Sequence, residues 1–167
     1  MKKIDNDGLI LCDIQGRVFE LSYDMSKTSS EIFIRRFMNC KLAFSMDNED
    51  FLQANTQAFE IIESVEKEYG KSSYGSVKYS KEELYWIGYL YRYYSYTYEI
   101  TSKQAYRRIK PKKLRGSYLS YHTLDPSKAI ERILEEDNIE SDSNSDLQKQ
   151  YLIYKAIRNQ TKHHTID

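Results

Sequence analysis

The chain has 167 residues, 25 basic and 25 acidic, and so carries no formal net charge. That length predicts one domain, burying about 70 % of its unfolded surface around a single core. No apolar run approaches the roughly 18 residues of a membrane span, no signal-peptide pattern opens the chain, and Cys12 and Cys40 are too few for a disulfide framework or metal cluster. The expectation is a cytoplasmic protein with no cofactor, no metal site and no membrane partner.

Leu, Ile, Val and Phe together number 38, just above the share of about 20 % below which disorder prevails. Sixteen tyrosines make up the difference, so the core must be unusually aromatic. Residues 9–21, L-I-L-C-D-I-Q-G-R-V-F-E-L, read as two short apolar arms folded at Gln15-Gly16, which predicts a small N-terminal β-hairpin. Such a hairpin is marginal alone and must lie against something larger. Ser29 and Ser30 then offer an N-cap, and Ile32, Phe33, Phe37, Cys40 and Phe44 recur at helical spacing to about Ser45. Asp47 and Asn48 read as the cap of a further helix with a stripe through Phe51, Leu52, Ala58, Phe59, Ile62 and Val65, closed at Gly70. Residues 70–79 are small, polar and glycine-bearing, which predicts a loop.

Ser80-Lys81-Glu82-Glu83 is a capping box and opens a helix over 81–98, in which eight of the fourteen residues from Tyr85 to Tyr98 are aromatic. Rings on every side of a helix predict a central element, and Gly88 permits a neighbour to approach closely. Thr101 or Ser102 caps a short helix that must stop before Pro111. Asp125-Pro126 is a cap followed by an N1 proline, with Ala129, Ile130, Ile133 and Leu134 as the apolar face of the helix it starts. Residues 137–146, D-N-I-E-S-D-S-N-S-D, read as an acidic linker before a last helix with Leu147, Tyr151, Tyr154 and Ile157. The expected organisation is a mainly α domain over 1–136 around helix 81–98, a linker over 137–146, and a C-terminal helix and tail over 147–167.

The zero net charge conceals a block structure. Residues 80–122 carry nine cations against three acids, and Lys103, Arg107, Arg108, Lys110, Lys112, Lys113 and Arg115 put seven cations into thirteen positions without one acid. Such a run attracts phosphate backbones or an acidic protein surface, and these seven are the candidate partner-binding residues. The segment 85–115 also reads as helix–turn–helix, with Lys103, Arg107 and Arg108 presented to DNA and Gln104 placed to read a base edge. Arg115 to His122 and Arg158 to His163 match the R-x(4–6)-H spacing of HEPN-type ribonucleases, in which histidine handles protons and arginine the phosphate charge. Both are short matches of low specificity, and no phosphate-loop, dinucleotide or H-E-x-x-H motif occurs. No catalytic residues are assigned, and the tyrosines read as core with hydroxyls at its boundary rather than as a stacking platform.

Three segments in order, L-C-D-I-Q-G-R-V-F-E-L, Y-S-K-E-E-L-Y-W-I-G-Y-L-Y-R-Y-Y and Y-H-T-L-D-P-S-K-A-I, resemble a group of small uncharacterised proteins of Gram-positive anaerobes over about residues 9–135. Genes of that group sit in toxin–antitoxin-like cassettes, often beside a small ADP-ribosyltransferase-like toxin. This sequence has Tyr94 where the group often has tryptophan, and the tail after residue 137 is an extension. The resemblance implies a non-catalytic antitoxin that neutralises a cognate protein toxin by direct binding. The readings kept beside it are a DNA-binding regulator using 85–115 and a HEPN-like ribonuclease.

Overall fold

The computed structural model describes residues 1–48, 51–52 and 56–162, and no strand forms among them. The helices are α1 (Asn6–Met25), α2 (Ser30–Asn39), α3 (Lys41–Met46), α4 (Ala58–Tyr69), α5 (Lys81–Tyr98), α6 (Ser102–Arg108), α7 (Pro111–Tyr121) and α8 (Pro126–Lys162). The chain divides into two units, Met1–Ile130 and Glu131–Asp167. The first unit contains α1 to α7 and the start of α8; the second carries α8 from Glu131 onward.

The mainly α expectation holds, and the N-terminal hairpin does not form. Residues 9–21 lie inside α1, which Asp5 caps by accepting the Gly8 amide at 2.9 Å. Its buried face is Gly8, Leu11, Cys12, Gln15, Gly16, Val18, Phe19 and Ser22, steps of three and four that define a helix stripe. Gln15 and Ser22 belong to that stripe, so counting only apolar residues hid the period. Gly16 makes no turn. A Cβ there would lie 2.9 Å from the Tyr85 ring, and one on Gly88 would lie 2.6 Å from the Gln15 carbonyl oxygen. The glycines set how closely α1 and α5 pack, and this antiparallel pair is the most extensive helix contact in the fold.

Helix α5 matches its expected bounds, and both halves of the Ser80/Glu83 capping box are present. Ten of its residues, from Leu84 to Thr97, are buried, as a central helix requires. Trp86 is only half-buried, against Tyr118 with ring centroids 5.5 Å apart. The expected helix over 29–45 breaks at Cys40, whose Sγ accepts the Ala43 amide at 3.3 Å and caps α3. Asp47 and Asn48 do not cap α4; Gln57 and Glu60 form that box, and the expected apolar residues Phe51 and Leu52 precede the helix. Gly70 closes α4 at φ 79°. The loop after it supplies the Tyr74 and Val77 carbonyls to the Ser29 and Ser30 amides at the start of α2.

Two further differences concern the C-terminal third. Pro111–Tyr121, for which the sequence predicts no element, form α7 with Pro111 at its first position. Residues 137–146 run within α8, where neither Gly nor Pro occurs from Ser127 to Lys162 to stop a helix.

Two stability tests follow. Gly88→Ala forces α1 and α5 apart and costs about 1–3 kcal/mol in urea unfolding. Gly116→Ala, in an exposed turn of α7 with nothing within 4 Å of its Cβ, stabilises by about 1 kcal/mol. Alkali gives a third test. Burial first, then the hydrogen bond to Asp13, raises the Tyr85 hydroxyl from 10.0 to about 12. A proton held more tightly in the folded than in the unfolded chain stabilises the fold fully below pH 10.0 and ceases to do so as pH rises through about 12. Thermal melts over that window should fall, and less steeply for Tyr85→Phe.

Candidate partner-binding surface

The basic run is carried by α6 and α7, and both are fixed from beneath. Arg92, on α5, has 1 % exposure. Its Nε donates to Gln15 Oε1 on α1 at 2.9 Å, Nη1 to Asp47 Oδ1 at 2.7 Å, and Nη2 to Ser102 Oγ at 2.9 Å. Asp47 also accepts the Ser102 amide at 2.9 Å and its hydroxyl at 2.7 Å. Burial pulls the Arg92 pKa below its ordinary value and Asp47 opposes that pull. Guanidinium ionises so far above neutrality that Arg92 stays charged. The start of α6 is thereby tied to α5 and to the residue following α3.

The far end of α6 is held by Tyr91, whose hydroxyl donates to the Ile109 carbonyl at 2.6 Å inside the core. Ala105, Ile109 and Leu114 are buried, so α6 and α7 turn their apolar sides inward and their cations outward. Lys103, Arg107, Arg108, Lys110, Lys112 and Arg115 are exposed and Lys113 is half-buried. These seven are not equivalent. Arg115 Nε lies 3.2 Å from Glu83 and its guanidinium 4.4 Å above the Tyr79 ring. Lys110 Nζ lies 4.4 Å above the Tyr106 ring, and Arg108 and Lys113 have contacts of their own within the chain. Lys103, Arg107 and Lys112 make no ion pair among the described residues.

Sequence reasoning missed Arg35. It is exposed on α2, and its charge acts on the Tyr106 hydroxyl, whose pKa burial raises and Arg35 lowers. It brings a cation from a distant segment to the side of α6, which no local charge count detects.

Gln104, placed by the sequence to read a base, has another occupation. Its Oε1 accepts the Thr101 amide at 2.8 Å and the Thr101 hydroxyl at 3.0 Å, closing the α6 capping box. Of the two arginine–histidine pairs, Arg115 is engaged by Glu83 and Tyr79. His122, exposed at the end of α7, stacks on Tyr118 at 4.6 Å with Nδ1 2.9 Å from the Tyr118 carbonyl. Arg158 lies in α8 and His163 falls outside the described residues. Cys12 and Cys40 are buried free thiols; burial pushes Cys12 up to about 12 and Cys40 upward, which disfavours both thiolates.

Removing one partner of the Arg92–Asp47 pair leaves a buried charge alone. Arg92→Met should cost about 3–5 kcal/mol in chemical denaturation, and adding Asp47→Leu should recover part of it. Recovery is partial because Gln15 and Ser102 still lose a partner.

No family model, curated protein or solved structure matches the chain.

Proposed function

We propose that this chain is a non-catalytic interaction protein that holds an acidic surface of a protein partner against the outer face of α6 and α7. The observation that carries the reading is the trio Lys103, Arg107 and Lys112, exposed and without an ion pair among the described residues, on two helices anchored in the core. A rigid positive face steers an acidic partner to it and sets its orientation. The sequence resemblance makes that partner a cognate toxin, of ADP-ribosyltransferase-like type, and the role that of an antitoxin.

The DNA-binding reading is favoured by one feature, the three-residue connection from α5 to the basic α6. Against it, bidentate readout of adenine by glutamine needs both amide atoms, and the Gln104 oxygen already accepts two hydrogen bonds. The ribonuclease reading is weaker still, with Arg115 engaged by Glu83 and Tyr79 and His122 stacked on Tyr118.

The test is Lys103→Glu, Arg107→Glu and Lys112→Glu together. Exposed substitutions of this kind shift stability by about 0.5 kcal/mol or less each, so the variant should remain folded. Its association with the protein encoded by the adjacent gene should slow by at least roughly tenfold, with rescue of toxin-inhibited growth lost. If instead the variant loses only operator binding, and wild-type affinity falls with a log–log salt slope of about −0.9 per phosphate, the regulator reading replaces this one. Unchanged binding to both would make the face ordinary solvated surface.

A further inference from the structure

An open cleft of about 450 Å³ lies between α1, the first half of α5 and the end of α7. Its walls are largely rings. Trp86 and Tyr118 meet at 80° with centroids 5.5 Å apart, so their planes form a corner. His122 stacks on Tyr118 at 4.6 Å and braces that ring. Tyr85 packs against Gly16 of α1, and Asp13 takes up its hydroxyl at 2.8 Å, so Tyr85 contributes ring surface to the cleft. Tyr85, Trp86 and Tyr118 are each half-buried, which leaves part of every ring accessible to a ligand.

The rest of the lining is acidic. Glu20 on α1 and Glu82 on α5 border the cleft, and no lysine or arginine does among the described residues. Neither glutamate makes an ion pair among those residues, because the cations of neighbouring segments are committed to other acids. Lys81 lies 2.6 Å from Asp24, Arg17 2.7 Å from Asp13 and Arg115 3.2 Å from Glu83. Glu20 acts on Arg17 and Lys81, and Lys81 on Glu82, only as more distant charges. Hydrogen bonds from its own amide and from Ser80 hold the Glu82 carboxyl below its ordinary value, so it is ionised at neutral pH. Tyr118 and His122 stand at the C-terminal end of α7, whose last turn holds no basic residue, so the helix carbonyls add negative potential there. Ring faces are negative as well, and all three contributions attract a cation. The rings also decide which cation. An inorganic ion or a bare ammonium keeps its water, whereas the methyl groups of a quaternary ammonium gain by covering ring surface.

We propose that this cleft binds a quaternary ammonium group, with its methyls against Trp86, Tyr118 and Tyr85 and its charge facing Glu20 and Glu82. The site is separate from the outer face of α6 and α7 and does not rest on the antitoxin reading.

Trp86 is the only tryptophan of the chain, so its fluorescence reports on the cleft directly. Titrations of the full chain compare choline with 3,3-dimethyl-1-butanol, its uncharged isostere, and with ethanolamine, which keeps the charge and lacks the methyls. Choline should change Trp86 emission along a saturable curve with a midpoint at roughly millimolar concentration, and each of the others should need at least roughly tenfold more. That comparison needs no variant. Glu20→Gln with Glu82→Gln should weaken choline by roughly tenfold, leave dimethylbutanol unaffected and change the melting temperature little. Trimethyl-lysine capped at both ends carries the same headgroup: binding tighter than choline assigns the cleft to a methylated lysine side chain, and weaker binding assigns it to a free solute. The proposal fails if choline quenches linearly without saturation, or if dimethylbutanol or ethanolamine matches choline. It also fails if the double variant, folded, binds choline like wild type.

Discussion

A guanidinium withdrawn from water must find its acceptors inside the protein, and Arg92 places that demand at the centre of this fold. Its acceptors come from Gln15 on α1, Asp47 beyond α3 and Ser102 at the start of α6. Those bonds form only when the three elements are in register with α5, so the interaction ties their register to the buried guanidinium. An apolar group of similar volume would often be as stable in such a place but would not specify which turn of α6 faces α5. The orientation of the basic face follows, because Asp47 holds the Ser102 amide and hydroxyl as well as Arg92.

The tyrosine-rich core obeys the same rule in milder form. Each ring buries apolar area, and each hydroxyl must still be met. Tyr91 reaches the Ile109 carbonyl, Tyr85 reaches Asp13, Tyr79 reaches Glu31 and Tyr96 reaches Asp5. These bonds link residues from 18 to 91 positions apart. They hold α5 to α1 and to the end of α6, and the segment before α5 to α2. A phenylalanine core of equal size would bury as much surface and lose those directional links.

Sequence signals survived where they were local and failed where burial mixed polar with apolar. The capping box at Ser80 and the run of rings after it located α5 because both act within a few turns. Residues 9–21 misled because Gln15 counts as polar in a pattern yet is buried in the structure. Helix α7 was legible in principle: Lys110-Pro111 carries the same N1 proline that located α8 after Asp125. The seven cations were visible as a run, but their division into engaged and exposed was not. That division depends on Glu83, Tyr79 and Tyr106, which reach the run only through folding. Arg92 read as one cation in an aromatic helix, since its partner Asp47 is 45 positions away.

The distribution of charge over α6 and α7 bears on what the face is for. Arg107 and Arg108 occupy the last turn of α6, where cations oppose the negative end of the helix dipole and are favourable. Lys112 and Lys113 occupy the first turn of α7, which has no acidic residue, so they sit where cations are unfavourable by about 0.3–1 kcal/mol each at low ionic strength. A sequence shaped only for stability would place an acid there, as α5 does with Glu82 and Glu83. Carboxylates of another molecule lying against the same turn relieve that placement. Arg115, three residues further on, is already neutralised by Glu83, so the open charge is carried by α6, the first turn of α7 and Arg35 beside them. A positive patch so bounded favours a compact acidic surface over a long polyanion, because a polyanion gains most from cations spread along its length.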